Sequence, residues 1–285
     1  MKDKNEKKKR IKMLNRFERN FAFHEYSGKG KEVLEILKGT SNIAASALQS
    51  VNYFDTEKRM ACPFTGGLVK LLSFETKCHI FCAEKAYNVS QKELLTNQIK
   101  EYINENDIKV LIDFYTIDEN SDYVAQLWAE GKSKYRFVKK LIQYAFEYEY
   151  QDKLSEKAVI KFERNRQDTI ALNTARNAKI FFVHIGLNKK YFNSYDQDKF
   201  LHVIDILIKT FKVLSYVDWK AEKIEAFRLW QSTKHKLQDK IEIYNAGEKN
   251  CFFKINSLLN ICSYGTAGER VRLYKPEGRI SHWIS

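Results

Sequence analysis

Three residues carry the most explicit chemistry in this sequence: Asp113, and then Glu130 and Lys132 with a single glycine between them. Two carboxylates on neighbouring strands can hold a hard divalent cation through oxygen, and an adjacent ammonium can orient or activate the attacking water. That is the chemistry of phosphodiester cleavage. Alternation along an extended strand puts Glu130 and Lys132 on one face together with Gln126 and Trp128. Asp118 and Asp122 are close enough in sequence to supply the metal acid in place of Asp113.

The elements around these residues must bring them together. Val110 to Ile117 is rich in β-branched and aromatic residues, Asp118 to Asp122 is polar, and Tyr123 to Glu130 follows, so the spacing predicts a β-hairpin. Helix spacing returns from Ser133 to about Tyr150 through Val138, Leu141, Ile142, Ala145 and Phe146. Over residues 112–146, a strand with Asp113, a turn, a strand ending Glu130-Gly131-Lys132 and then a helix resembles the core of the PD-(D/E)xK nuclease superfamily. The run from Leu127 to Lys132, with Phe137-Val138 and Leu141-Ile142-Gln143 after it, is similar to nuclease domains found with restriction-modification methyltransferases. The resemblance implies a restriction-endonuclease-like core sheet flanked by helices. In it Asp113 and Glu130 would bind Mg2+, Lys132 would serve the water or scissile phosphate, and Gln143 would support the site from the helix.

Charge points to a partner of the same kind. Among 285 residues, 49 Lys and Arg stand against 36 Asp and Glu, a formal charge of +13 that concentrates polyanions at the surface. Nucleic acid is the expected partner, DNA ahead of RNA. Lys134, Arg136, Lys139 and Lys140 beside the candidate site, and Arg270, Arg272, Lys275 and Arg279 near Tyr274 and Trp283, are the expected contacts. The cationic opening, residues 1–12, is expected to fray as a solvated tail, with an arm along a phosphate backbone as the alternative.

The chain is 44% hydrophobic, with 19 Phe and 16 Tyr and no low-complexity tract, which excludes disorder over most of its length. No apolar run spans a membrane and no signal-peptide core follows the polar start, so a cytoplasmic or nuclear, non-secreted protein without a membrane partner is expected. Five cysteines (Cys62, Cys78, Cys82, Cys251, Cys262) are an odd number in such a chain and read as reduced thiols.

The expected fold is mixed α/β (α+β), with a mostly helical region over 1–90, the nuclease-like core over 91–190 and a helical and short-strand region over 191–285. Residues 13–48 read as two helices around Ser27-Gly28-Lys29-Gly30, and Cys62 to Gly67 as turn formers ending an element. Leu68 to Cys82 reads as either a strand or a short buried helix, and Ser90 with Glu93 as a capping box opening a helix to about Asn104. Ala178 to Gly186 reads as a buried strand, helices follow over about 198–217 and 219–239, and short strands close the chain.

Other clusters read as structural. Cys62, Cys78, His79 and Cys82 lack the spacing of a zinc site and read as buried thiols, and His184 reads as a satisfied core histidine. Arg228 and His235 share a helix face in loose similarity to a HEPN ribonuclease motif, and read as a chance pairing. Gly265-Thr266-Ala267-Gly268 lacks the ending of a phosphate loop. The resulting expectation is a Mg2+-dependent nuclease of restriction or defence type, with a homodimer left open. Its alternatives are a non-catalytic nucleic-acid-binding protein, such as a replication initiator or viral nucleoprotein, and a protein-interaction or inhibitor protein.

Overall fold

The computed structural model describes residues 2–54, 58–121, 123–154, 160–162, 169–192, 197–215, 217, 219 and the segments 241–245, 251–255, 261–264, 271–274 and 280–284. In chain order these form α1 (Lys2–Phe21), a single turn α2 (Phe23–Tyr26), β1 (Leu34–Leu37), β2 (Ile43–Ala47), β3 (Tyr53–Phe54), β4 (Lys58–Arg59), α3 (Thr65–Thr76), β5 (His79–Ala83), β6 (Tyr87–Asn88) and α4 (Lys92–Glu105). There follow β7 (Val110–Ile117), β8 (Ala125–Glu130), α5 (Arg136–Leu154), β9 (Ile160–Phe162), α6 (Ile170–Ala178), β10 (Phe181–Asn188) and α7 (Gln197–Ser215). The described chain closes with β11 (Ile241–Asn245), β12 (Cys251–Ile255), β13 (Ile261–Tyr264), β14 (Val271–Tyr274) and β15 (Ile280–Ile284).

A seven-stranded sheet in the order β1-β5-β2-β7-β10-β8-β9 organises the fold. Its centre, β5-β2-β7-β10, is parallel, whereas β1 runs antiparallel to β5 and β8 antiparallel to β10, with β9 parallel to β8 at the edge. Strands β2, β5 and β10 are buried at every residue, as required of parallel strands covered on both faces. Phe114 stacks on Phe211 of α7, and α3 and α5 pack in the same layer. On the other face Phe81 meets Tyr102 of α4, and α6 packs beside α4. The chain thus has the expected mixed α/β architecture, a sheet flanked by helices.

Several local expectations are corrected. Beyond α1, the run read as two helices holds β1 and β2 instead of a second long helix. The helix-like spacing of Val33, Leu34 and Leu37 loses to sheet pairing, and the small residues of Ala44-Ala45-Ser46-Ala47 suit a strand that is covered on both sides. Residues 1–90 therefore supply three strands of the main sheet rather than a mostly helical region. The undecided stretch from Leu68 to Cys82 is a helix and then a strand, α3 followed by β5. The cationic start is not a free tail, because it forms the first turns of α1.

Thr65-Gly66-Gly67 opens α3 rather than closing an element, and the two glycines let α1 come close. A Cβ on Gly66 would lie 2.7 Å from the Phe21 ring, and one on Gly67 would lie 2.9 Å from a Glu18 oxygen. Each glycine costs a helix about 1 kcal/mol, and the approach it permits offsets that cost. Glu18, buried on α1, accepts hydrogen bonds from the backbone N–H groups of Phe64 (2.6 Å) and Gly67 (3.1 Å) and from the Tyr26 hydroxyl (3.0 Å). The unpaired donors at the start of α3 are thereby capped across the fold.

Strands β11 to β15 form a five-stranded antiparallel sheet in sequence order, which places Phe252, Phe253 and Ile255 on strands as expected. The expected helix over 219–239 lies outside the described residues, apart from Trp219.

Candidate functional site

Asp113 sits at the middle of β7, opposite Ser46 of β2 on one side and His184 of β10 on the other; Trp128 of β8 faces His184 in turn. Because strand residues alternate, the residue beside Phe114 must face the α4 and α6 layer, and Asp113 does. The Ser46 hydroxyl donates to Asp113 Oδ1 at 2.5 Å, and His184 Nε2 lies 3.6 Å from Asp113 Oδ2. Tyr115 sets its ring edge against His184, with centroids 4.0 Å apart, and its hydroxyl donates to Gln126 Oε1 at 2.7 Å.

Burial fixes the charge state of this group. It pushes the Asp113 carboxyl up to about 7, against which the Ser46 hydrogen bond acts, and it pushes the His184 imidazole down to about 3. Among the described residues His184 Nε2 has no hydrogen-bond partner. A gap of 3.6 Å is too long for a charge-assisted hydrogen bond, which fits a neutral imidazole beside a carboxyl that titrates near neutrality.

The expected metal pair does not assemble. Strand β10 lies between β7 and β8, so the predicted hairpin is absent and Asp113 and Glu130 are not on neighbouring strands. Glu130 pairs with Phe182, two residues before His184, which puts its Cα roughly 12 Å from that of Asp113 at ordinary strand spacings. The physical reason is the both-face burial of Phe181 to Asn188: an apolar strand of that length takes a central place and displaces a hairpin partner. Glu130 is held instead by the Arg176 guanidinium of α6 at 2.8 and 3.0 Å.

Lys132 is exposed beyond Gly131, whose φ of 125° and close approach to the Ile180 carbonyl oxygen, 3.0 Å from a built Cβ, call for glycine. Gln143 lies on α5, in the layer opposite the Asp113 face, and donates to Glu147 at 2.7 Å. Asp118 is exposed and caps its own turn through the Asn120 N–H, while Asp122 lies outside the described residues.

A different group offers metal-ligand atoms. Glu35, Cys82 and Glu84 bring two carboxylates and a thiol within 4.8 Å of one another. Lys70 of α3 stands among them, its ammonium 2.7 Å from a Glu35 oxygen and paired also with Glu84, so a cation of the chain itself neutralises the acids. Burial alone would raise Glu35, but the Lys70 ammonium outweighs it and holds the carboxyl below its usual range. Cys62, Cys78 and Cys82 are free and buried, and burial pushes the Cys78 thiol up to about 12.

The basic surface is concentrated on helices. On α1 the side chains of Lys8, Lys9, Lys12, Arg16 and Arg19 are exposed, and at 100° per residue they fall within an arc of roughly 100°. Ile11, Leu14, Glu18 and Phe21 are buried on the opposite arc, against α3. Among the described residues no ion pair joins any of the five cations to an acid. Arg10, between the two faces, instead clamps α1 to Glu75 at 3.2 Å and to Asp205 at 2.8 Å.

Near the start of α5, Lys134, Arg136 and Lys140 are exposed as expected, whereas Lys139 is partly covered and desolvation lowers its pKa. Arg272 lies on β14 opposite Trp283; Arg270, Lys275 and Arg279 lie outside the described residues, as do Arg228, His235 and the turn from Gly265 to Gly268.

No family model matches the chain, and no curated protein matches it. Solved structures similar to it include a bacteriophage poly-gamma-glutamate hydrolase, at 11% identity and a TM-score of 0.40 over 65% of this chain and 91% of that one. The gene product Atu2144 from Agrobacterium tumefaciens is similar at 9% identity and a TM-score of 0.41, over 70% of this chain and 96% of that one. Pyrococcus furiosus PbaA, an archaeal homolog of proteasome-assembly chaperone, is similar at 10% identity and a TM-score of 0.40, over 71% and 88%. Likenesses this slight carry no argument about the site. Among the described residues, no helix is long and apolar enough to cross a membrane.

Two features went unread in the sequence. His184 is buried as expected, but among the described residues its Nε2 finds no hydrogen-bond partner and faces a carboxyl. Its register with Asp113 depends on β10 pairing with β7, which periodicity alone does not specify. The exposed stripe on α1 was legible in principle, since Ile11, Leu14, Glu18 and Phe21 recur at helix spacing between the cations.

Proposed function

We propose that the protein binds nucleic acid along the outer face of α1, a non-catalytic role for its basic surface. The supporting observation is the stripe of Lys8, Lys9, Lys12, Arg16 and Arg19 on a helix anchored by its opposite face. A fixed row of cations spanning roughly 16 Å along the helix can meet successive phosphates without the cost of ordering a free tail. The exposed Lys132, Lys134, Arg136 and Lys140 add charge elsewhere on the surface.

Fluorescence anisotropy on a labelled oligonucleotide across a salt series tests this. Replacing all five α1 cations by Gln is expected to flatten the plot of log K against log salt by about 3 to 5, since each phosphate that is no longer neutralised removes about 0.7 to 0.9 from the slope. An unchanged slope and affinity would refute the role of α1.

A second reading, phosphodiester cleavage with Mg2+, is favoured by one arrangement: Asp113 stands beside Ser46 and His184 with burial raising its carboxyl toward neutrality, as suits a general acid or base. In that reading Asp113 acts without Glu130. Incubating plasmid and single-stranded RNA with the protein, with Mg2+ or with chelator, separates cutting from binding, and loss of cutting in Asp113→Asn would assign it to this group. A salt-sensitive shift with no cleavage removes the second reading and leaves the first.

A further inference from the structure

The end of α1 runs into an unusual patch. Of the seven exposed large hydrophobic side chains among the described residues, four lie on segments that meet around Asn52: Phe23 (39% exposed), Phe54 (46%), Met60 (69%) and Val89 (43%). Asn52 ties them together. Its side chain donates to the Glu25 carbonyl at 2.5 Å and accepts from the Ala61 N–H at 2.9 Å, and its own N–H donates to the Tyr26 carbonyl at 2.8 Å. Phe54 is two residues beyond Asn52 and pairs with Asn88, the neighbour of Val89. Met60 is the neighbour of Ala61.

The turn that presents Phe23 is strained. His24, Glu25 and Tyr26 have φ of 46°, 54° and 65°, three consecutive non-glycine residues in the left-handed region. The fold holds this conformation through Asn52 and through Tyr26, whose hydroxyl reaches buried Glu18. Phe23, just before this turn, remains partly exposed. Cations flank the rings: Lys29 Nζ lies 4.6 Å from the centroid of Phe23, and Lys92 Nζ lies 5.3 Å from that of Tyr53, which itself stacks on Tyr87.

We propose that this patch is a base-stacking platform, and that the nucleic acid bound along α1 is single-stranded. The inference rests on the reading of α1 as the phosphate track. An exposed ring beside a cation, as at Phe23, matches unpaired bases, which offer a flat π-face to any aromatic group and carry a phosphate within reach of a neighbouring ammonium. The exposed ring of Phe54 is next in the chain to half-buried Tyr53 and its Lys92. Duplex DNA keeps its bases stacked on one another and has no face to give. Position argues the same way, because α1 ends at Phe21 and Phe23 follows two residues later, so a strand tracking Arg16 and Arg19 arrives at the rings. The stripe, roughly 16 Å long, tracks a short run of backbone, and the platform takes the bases beyond it.

Anisotropy with the full chain, using labelled dT12, rU12 and a 12-base-pair duplex at matched salt, tests the platform. Single strands are expected to bind at least tenfold tighter than duplex. Phe23→Ala with Phe54→Ala should weaken single-strand binding about 10- to 100-fold and duplex binding less than twofold, with the salt slope unchanged, since stacking rather than charge is removed. Both residues are exposed, so folding is checked by an unchanged thermal midpoint, and Phe54→Tyr should retain most of the affinity. Salt-sensitive binding that favours duplex, or that ignores the double substitution, overturns the platform and leaves the α1 reading standing. Absence of binding to all three probes overturns both.

Discussion

Asp113 and His184 make opposite demands on stability as pH changes, and one substitution separates them. Burial raises the Asp113 pKa from 3.8 to about 7, so the folded chain keeps a proton that the unfolded chain releases. That contribution is complete below the unfolded pKa and is lost as pH rises through the folded one. Burial lowers His184 from 6.5 to about 3, so its contribution is present above the unfolded pKa and lost as pH falls through the folded one. At about 1.4 kcal/mol per pH unit for each group, the two slopes oppose and nearly cancel between about pH 4 and pH 6.5.

Asp113→Asn removes one slope and keeps an acceptor for the Ser46 hydroxyl. The stability of the variant relative to wild type should therefore rise by on the order of 4 kcal/mol from about pH 4 to above pH 7. Urea unfolding at matched pH values measures the difference and cancels every other titrating group. His184→Gln should show the mirror image, losing relative stability as pH rises to about 6.5. A flat difference would refute the burial argument. A difference of opposite sign would mean an ionised pair, with the carboxyl stabilised by an imidazolium.

Other perturbations test how the fold is held. Glu18→Ala leaves the Phe64 and Gly67 N–H groups and the Tyr26 hydroxyl without their acceptor and should cost about 3 kcal/mol in denaturant unfolding; an effect below about 0.5 kcal/mol would show that water replaces it. Gly66→Ala gains helix propensity but drives a Cβ into the Phe21 ring, so its net effect should be a loss of about 1 to 3 kcal/mol in the same assay, and a gain would mean that α1 shifts freely. Lys70→Met leaves Glu35 and Glu84 facing each other beside Cys82; discounted for their partial exposure, the loss should be about 2 kcal/mol. Because the vacated position is lined by a thiol and two carboxylates, Cd2+ should raise the thermal midpoint of Lys70→Met more than that of wild type, and equal shifts would show that the three ligands do not act together.

Much of the fold could be read from local pattern. The helices over 92–105, 136–154 and 197–215 and the strands over 110–117 and 181–188 follow from apolar spacing and β-branched content, because those signals concern each segment's own faces. The positive charge and the buried thiols are likewise properties of composition. Strands β1 and β2 escaped this reading: Leu34 and Leu37 fit either period, and the small residues of β2 become a strand only where neighbours pair with both of its edges.

What tertiary structure alone decided is which strands are neighbours. Sequence gives β7 and β8 as strands and puts Gln126, Trp128 and Glu130 on one face of β8, although Lys132, expected on that face, falls beyond the strand's end. It does not reveal that β10, some fifty residues later, enters between them. Strand order follows from crossovers and from burying the most apolar strand on both sides, a whole-chain balance that no local window contains. The same insertion separates Asp113 from Glu130 and gives it His184 and Ser46 as partners, and so moves the chemistry of the site from a carboxylate pair to a buried carboxyl and imidazole.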